Sequence, residues 1–455
     1  MTKSEEAENE SAPNSGAAPF GRPGAELKLK LRSIQADGDG EGELEGHHIV
    51  VPGAFPGESV RVRVEARSQH HPRLFTKLLE VEAPHSDRRE AACPHHTSRQ
   101  GHCTGCPLLA LGETAQRQAK AQYVQSQFGL VIDRWEFGDQ TLAYRWSSKR
   151  VASRKRGRFV LGSYRRGSHE IAEMQDCQTD HPLIRAAAVE IETIATEQAV
   201  EPYSQKSGFG QLRFVWFKTN GNQVLVNLVA APKGVTEVEA LGRALKQPES
   251  VFLSLQGGGG NDQRGRGARR LRGIASLNLE MLGESRNIGP QGFLQPNPEV
   301  AEMAYRDLLA AEDGSELSGL LALDLFAGTG ITTLQLRKRF ESVLACDTQP
   351  AAVDGSEDAG VRQQSAEDML ARLVDRRTAP QLVVANPPRA GLGEDVTEAL
   401  NILRPGRIHI MSCHPKSLSA DIERLSQAYE LKSLRAYDTL PQTAHLELVA
   451  WLVKR

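Results

Sequence analysis

The chain has 455 residues, enough for two or three domains that each bury a core. It carries 55 Lys and Arg against 57 Asp and Glu, which excludes an overall excess of positive charge for binding nucleic acid. Any positively charged binding surface must therefore be local. Its six cysteines do not have the spacing of a secreted disulfide framework, and no apolar run approaches the roughly 20 residues of a membrane helix.

The first 83 residues divide into a tail and a small β-rich domain. Residues 1–25 are polar, rich in Pro and Gly, and lack the apolar core of a signal peptide. They predict a disordered tail on a soluble, cytoplasmic protein without a membrane partner. From Glu26 onward, short alternating runs are separated by turns such as "DGDGEGELEG". This pattern predicts a small β-barrel over residues 26–83, an architecture that often but not always binds nucleic acid.

Residues 84–290 are predicted to form a central, β-rich domain. Runs such as "GRFVLGSY" and "NQVLVNLVA" are typical of strands, whereas "ETAQRQAKAQYVQSQF" has the composition of a helix. The stretch "LQGGGGNDQRGRGARRLRG" is too rich in Gly for a regular element, so we expect a mobile, basic loop there.

Four cysteines of this central region indicate a metal site. Two of them stand in a Cys-x-x-Cys pattern, and the full set is Cys93, Cys103, Cys106 and Cys177. From thiolate ligands alone, a structural zinc is at least as likely as an iron–sulfur cluster. Further candidate ligands are His95, His96 and His102.

A basic segment of the central region, residues 144–166, is a candidate RNA-facing surface. It contains no acidic residue and carries the cations Arg145, Lys149, Arg150, Arg154, Lys155, Arg156, Arg158, Arg165 and Arg166. Such runs are usually solvated surface, but the interleaved Tyr, Trp and Phe suit phosphate contacts combined with base stacking. The arginines of residues 264–272 would add phosphate contacts.

Residues 291–455 alternate strands and helices, which predicts an α/β fold with a doubly wound, Rossmann-like parallel sheet. Asp324 ends a strand before the turn "AGTG", and Asp347 ends the next strand, where it could accept hydrogen bonds from a ribose. A later strand ends in "ANPPR", which contains Asn386. Together these loops indicate a methyltransferase that uses S-adenosylmethionine (SAM), and a generic nucleotide-binding domain is the alternative.

The pair Cys413 and Glu447 would suit methylation of a pyrimidine carbon. A thiolate that adds to carbon 6 makes carbon 5 nucleophilic, and a base must then remove the carbon-5 proton. Cys413 follows an apolar strand, and Glu447 lies between Leu446 and Leu448 in an apolar pattern that would raise its pKa. The alternative for Cys413 is a buried structural thiol, and the alternative for Glu447 is a strand residue that faces outward. Because the uridine must leave its stack, single-stranded or loop RNA is the expected target.

From Glu26 to Arg455 the chain resembles the RNA (uracil-5-)-methyltransferases, which make 5-methyluridine in ribosomal and transfer RNA. Its first strands look like the family's RNA-binding TRAM domain, "SCHP" resembles the nucleophile motif, and "LPQTAHLE" resembles the motif of the proton-abstracting glutamate. The resemblance implies SAM contacts by Gln295, Phe326, Gly328, Asp347 and Asn386. It also favours a 4Fe–4S cluster over zinc on the four cysteines and ribosomal over transfer RNA as substrate. Separately, we expect the protein to be a monomer.

The chain departs from the family pattern in three places. Asn386 stands where the family usually has aspartate, the stretch from Asp347 to Gln381 is short, and nine residues separate Cys93 from Cys103 where the family has fewer. Since an amide lacks the negative charge, Asn386 leaves open a catalytically silent RNA-binding protein. The "NPPR" sequence also leaves open a methyltransferase that acts on an exocyclic base amine.

Overall fold

A closed five-stranded barrel follows the N-terminal tail, as the alternating pattern predicts. The computed structural model describes residues 20–99, 102–166, 168–258, 265–311, 314–348 and 359–455, so most of the predicted tail lies outside the described residues. The barrel has the strand order β1-β2-β3-β5-β4. Its strands are β1 (Glu26–Ile34), β2 (Gly40–Leu44), β3 (His47–Val51), β4 (Ser59–Arg67) and β5 (Arg73–Ala83). Alternate residues of β1 are buried because its apolar side chains face the barrel interior.

A second compact unit begins at Arg89. Its elements up to residue 288 are α1 (Glu113–Phe128), β6 (Arg134–Glu136), β7 (Ser147–Lys155), β8 (Arg158–Tyr164), β9 (Ile171–Glu173), α2 (Pro182–Glu197), β10 (Leu212–Thr219), β11 (Val224–Ala230), α3 (Val235–Ala244), β12 (Ser250–Leu255), β13 (Arg266–Arg272), β14 (Leu277–Met281) and β15 (Glu284–Ile288), with 3₁₀ turns at Thr97–Arg99 and Pro232–Gly234. Seven of the strands form a sheet in the order β13-β12-β11-β10-β7-β8-β9, and β14 pairs with β15. Apolar residues of α2 and α3 pack on this sheet.

The arginine-rich stretch expected to be a loop is in part a strand. Residues 266–272 form β13, which pairs antiparallel with β12 at the edge of the sheet. An edge strand needs only one partner and tolerates charged, solvent-facing side chains, so its composition does not resemble that of a core strand. Gly265 and Gly267 have φ angles of +67° and +64°, which turn the chain into the strand and locally distort it. Residues 259–264 of the predicted loop lie outside the described residues.

The remaining elements form an eight-stranded α/β sheet. They are α4 (Pro298–Leu308), β16 (Gly319–Leu325), α5 (Ile331–Arg337), β17 (Phe340–Asp347), β18 (Val361–Gln363), α6 (Ala366–Asp375), β19 (Leu382–Ala385), α7 (Glu394–Leu403), β20 (Arg407–Ser412), α8 (Pro415–Leu425), β21 (Tyr429–Tyr437) and β22 (Glu447–Lys454). The strand order is β18-β17-β16-β19-β20-β22-β21-β6. The first five strands of this order are parallel, and β22 runs antiparallel to β20.

Two features of this sheet bear on the site. The chain moves outward from β16 in one direction and from β19 in the other, so the sheet has its switch point between these strands. At the far edge β6 pairs in parallel with β21, although residues 134–136 fall within the predicted central domain. A strand this short has no sequence periodicity of its own. In the described parts of the chain, none of the helices has the length and apolar character needed to cross a lipid bilayer.

Candidate active site

A cavity of about 1510 Å³, called here the switch-point cavity, lies at the carboxyl ends of the parallel strands. This is where open α/β sheets bind their ligands, because loops diverge on either side of the switch point. The structure brings together around it all the residues predicted to bind the methyl donor or to act in catalysis, namely Gln295, Phe326, Gly328, Asp347, Asn386, Cys413 and Glu447.

The turn after β16 is fixed by buried hydrogen bonds. Asp324 is 2% exposed and accepts hydrogen bonds from the hydroxyls of Thr332 at 2.7 Å and Thr333 at 2.6 Å. Burial raises the pKa of Asp324 to about 6 despite these two donors. The backbone N–H of Gly328 donates to Asp347 Oδ2 at 3.0 Å, which links the first strand loop to the end of β17.

The same turn requires unusual backbone conformations. Phe326 has φ = +60° and Gly330 has φ = +75°, the left-handed region that ordinary side chains avoid. A Cβ at Gly330 would also lie 2.4 Å from the Cβ of Ala359. A non-glycine residue held in this region is typical of functional sites, and here the strained Phe326 lines the cavity.

Gln295 reaches the cavity from the chain just before α4. It is 8% exposed, and its side chain hydrogen-bonds to the hydroxyl of Tyr305, which also lines the cavity. Burial raises the pKa of Tyr305 to about 12, so this hydroxyl stays protonated at neutral pH. The side chain of Asn297 accepts from the backbone N–H of Val300 at 3.4 Å and caps α4. Nothing in the sequence marks Tyr305 as a site residue, because a tyrosine in an amphipathic helix has no distinguishing signal.

The register of β20 and β22 accounts for the proximity of Cys413 and Glu447. Ser412 pairs with Leu448, so the next positions along the two antiparallel strands are Cys413 and Glu447. Burial raises the pKa of Cys413, and the charge of Glu447 raises it further. Desolvation raises the pKa of Glu447 to about 8. These two groups therefore lie within electrostatic reach of each other in one cavity.

Arg389 is a site residue for which the sequence predicts no role, although it belongs to the "ANPPR" segment. It follows Asn386 and two prolines at the end of β19, lines the cavity, and hydrogen-bonds to the Cys413 side chain. Its positive charge lowers the pKa of both Cys413 and Glu447, against the larger effect of burial. The backbone N–H of Asn386 donates to Leu325 O at 3.2 Å, which holds this loop against the end of β16.

A second, smaller cavity is lined by Cys93, Cys103, Cys106 and Cys177, together with His95 and His96. All four thiols are free, and burial raises the pKa of Cys106 to about 12. His95 Nε2 lies 2.5 Å from Asp176 Oδ1, which ties the first cysteine loop to the segment of the fourth cysteine. Within the described residues, no group of three or more His, Cys, Asp or Glu side chains is arranged to hold a metal ion. The four thiols thus share this cysteine cavity, but the described side chains are not arranged as a metal site.

The predicted RNA-facing segment is only partly exposed. Arg150 is 3% exposed and forms an ion pair with Asp180, which is 2% exposed, so it cannot contact RNA as expected. The reason is its position in β7, where an inward-facing residue lies against the loop before α2. The cations that are exposed are Lys149, Arg154, Arg156, Arg158 and Arg166.

The fold of the chain resembles that of a SAM-dependent methyltransferase. The structure of Pyrococcus abyssi tRNA (uracil-54, C5)-methyltransferase in complex with S-adenosyl-L-homocysteine matches with a TM-score of 0.72 and 20% identity, over 94% of this chain and 100% of that chain. The family model of tRNA (uracil-5-)-methyltransferases matches residues 369–455. These findings support the resemblance to the RNA (uracil-5-)-methyltransferase family seen in the sequence.

Curated relatives match over nearly the whole chain. An uncharacterized RNA methyltransferase of Geobacter sulfurreducens is 28% identical over 96% of this chain and 92% of its own length. One from Listeria innocua is 23% identical over 94% of this chain and 97% of its own length. These matches indicate an RNA methyltransferase.

Proposed function

We propose that the protein methylates carbon 5 of uridine in RNA through a covalent bond between Cys413 and carbon 6 of the ring. SAM supplies the methyl group. The Cys413 thiolate adds to carbon 6, and carbon 5 then attacks the methyl group of SAM, whose sulfur–methyl bond breaks to release S-adenosylhomocysteine. Glu447 removes the proton from carbon 5, and loss of the thiolate from carbon 6 restores the aromatic ring.

The observation that carries this proposal is the pairing of Cys413 with Glu447 at the wall of the switch-point cavity. The addition step needs a thiolate, and burial alone opposes it. Arg389 hydrogen-bonds to the thiol and lowers its pKa, so its charge would stabilise the thiolate. Glu447, with a pKa of about 8, suits a base that works near neutral pH.

The methyl donor would occupy the part of the cavity built by the first two strand loops. Asp347 would accept hydrogen bonds from the ribose hydroxyls. A Cβ at Gly328 would meet no atom within 4 Å, so the space beside this residue is open and a ligand could approach its backbone. Gln295, Phe326 and Asn386 would complete the contacts from the other walls. As an amide, Asn386 can still donate and accept hydrogen bonds, although it adds no charge.

The four cysteines would hold a 4Fe–4S cluster, with zinc as the alternative. Two observations support the cluster: the four cysteines line one cavity, and each of them offers a thiol as ligand. The role we assign is structural: Cys93, Cys103 and Cys106 would be joined to Cys177 of the central sheet region. A purified protein that contains zinc and no iron would refute the cluster.

The RNA substrate would be a single-stranded or loop region, with ribosomal RNA favoured over transfer RNA, and the protein would act as a monomer. The target uridine must be unstacked to reach Cys413. Exposed cations on β7 and β8 provide phosphate contacts without a global positive charge, and the barrel of residues 26–83 would add the binding surface of a TRAM domain.

The test uses labelled SAM with two kinds of substrate. The first is RNA from cells that lack the protein, and the second is an unmodified transcript of the RNA that becomes labelled. Wild-type protein should incorporate label at carbon 5 of one uridine and should be trapped on the same transcript made with 5-fluorouridine, because fluorine cannot leave as a proton would. Cys413→Ala should abolish both results, whereas Cys346→Ala, at a thiol outside the cavity, should abolish neither. Label incorporation by Cys413→Ala would support the amine methyltransferase, and RNA binding without incorporation by wild-type protein would support the silent RNA-binding protein.

A further inference from the structure

The loop that connects β21 to β22, residues 438–446, leads directly into Glu447. It is largely buried, with Asp438 at 2% and Gln442 at 1% exposure. Its main contacts are with α1 and the residues on either side of it. None of these partners is among the described residues that line the switch-point cavity. The contacts therefore act on the loop and not on a ligand.

Gln116 of α1 hydrogen-bonds to the middle of this loop. It is fully buried, and the backbone N–H of Gln442 donates to its Oε1 at 2.9 Å while its Nε2 donates to Gln442 Oε1 at 2.7 Å. The N–H of Leu108 donates to the carbonyl of Gln442 at 3.0 Å. Gln442 has φ = +70°, a conformation that a glutamine adopts only when its surroundings impose it. Gln116 supplies part of that constraint, and Leu108 is a second partner of Gln442.

Lys120, one helical turn beyond Gln116, ties the two ends of the loop together. Its Nζ lies 2.6 Å from Asp438 Oδ1 at the start of the loop and donates to the carbonyl of His445 at 3.0 Å near the end. Lys120 is fully buried, so water does not compete for these bonds. Tyr144 adds a third contact, because its hydroxyl donates to the carbonyl of Pro441 at 3.0 Å.

We propose that Gln116 and Lys120 are positioning residues that hold Glu447 where it can remove the carbon-5 proton. The inference rests on the proposed function. Glu447 is the first residue of β22, so a loop released from α1 would let its carboxylate shift. The thiol and the predicted methyl-donor residues lie elsewhere, at the carboxyl ends of β16, β17, β19 and β20 and before α4. Release of the loop should therefore slow proton removal selectively and leave thiol addition intact.

The decisive variant is Gln116→Leu, with Gln118→Leu as the matched control on the exposed face of the same helix. A displacement of roughly 1 Å in a catalytic group can cost about 100-fold in rate. We expect turnover of Gln116→Leu to fall by about that factor, while KM for SAM and the rate of trapping on 5-fluorouridine RNA stay within about twofold of wild type. On ordinary RNA the methylated covalent adduct should accumulate as a band that resists SDS. Gln118→Leu should show wild-type turnover and no such band.

Tyr144→Phe removes one loop contact without a change of shape and should give the same pattern at a smaller amplitude, which keeps the test informative if Gln116→Leu does not fold. Parallel loss of turnover and of trapping, or wild-type turnover without adduct accumulation, would overturn the positioning role. A wild-type protein that is never trapped on 5-fluorouridine RNA would instead overturn the proposed function, and the positioning role with it. Glu447→Gln serves as the reference, because it should accumulate the same adduct.

Discussion

The raised pKa of Glu447 predicts a pH dependence in one step of the proposed reaction, the breakdown of the methylated adduct. In that adduct Cys413 is already bonded to carbon 6, so the pKa of the thiol no longer enters. Desolvation in the cavity raises the pKa of Glu447 to about 8, and the charge of Arg389 opposes the rise. The carboxylate form is the base, so the breakdown rate should increase as pH rises through this pKa and level off above it.

The size of the effect follows from the ionised fraction. With a pKa of about 8, roughly 9% of Glu447 is carboxylate at pH 7 and about half at pH 8. The rate constant for breakdown should therefore rise about fivefold from pH 7 to pH 8, and about elevenfold from pH 7 to the plateau. An ordinary glutamate, with a pKa near 4.3, would already be fully ionised at pH 6 and would give a flat profile.

The assay is a single-turnover experiment with enzyme in excess over labelled RNA, quenched in SDS at intervals between pH 6 and pH 9.5. The band of covalently linked RNA forms and then decays, and the decay constant is plotted against pH. Glu447→Gln should form the band and lose the pH-dependent decay, because an amide cannot accept the proton. A flat profile for the wild-type protein, or an unchanged profile for Glu447→Gln, would refute the assignment of Glu447 as the base.

Three further predictions test other parts of the molecule. Arg150→Met should lower the free energy of unfolding by about 3–5 kcal/mol in urea titrations, because it removes the ion-pair partner of the buried Asp180 carboxylate; a loss below about 1 kcal/mol would contradict this. Asp347→Ala should weaken SAM binding by about 10- to 100-fold in calorimetry, since it removes charge-assisted hydrogen bonds, and unchanged affinity would exclude Asp347 from the site. Cys106→Ser should reduce the iron bound per chain in metal analysis, whereas Cys346→Ser, outside the cysteine cavity, should not; equal iron contents would exclude Cys106 as a ligand.

Strand ends and turns of the α/β half were predictable because each has a local signal. Asp324 and Asp347 each end an apolar run, and the Gly-rich turn and the prolines after Asn386 mark loops. Since parallel strands bring their carboxyl ends to one edge, these residues were expected to meet, and they do line one cavity. The fold class and the small barrel are confirmed for the same reason, because both follow from the periodicity of apolar residues.

Other features depend on tertiary contacts that leave no local pattern. Nothing in the sequence around residues 134–136 indicates that β6 extends a sheet whose other strands lie far along the chain. Arg150 stands among exposed cations, and only the placement of Asp180 makes its burial possible. Arg389 likewise acquires its contact with Cys413 from the meeting of the β19 and β20 loops. In each case a residue of ordinary surface composition is given its role by a distant partner.

The proximity of Cys413 and Glu447 is itself a consequence of packing at positions away from the cavity. His409 and Trp451 are register partners in β20 and β22, and their rings stack with centroids 5.6 Å apart. Trp451 Nε1 donates to the carbonyl of Asp307 at 3.1 Å, which fixes this pair against the end of α4. A slip of one residue would turn every side chain of β22 to the opposite face, break these buried contacts, and point Glu447 away from Cys413. The register that the core enforces is therefore what makes a thiol and a carboxylate, 34 positions apart in sequence, a possible reactive pair.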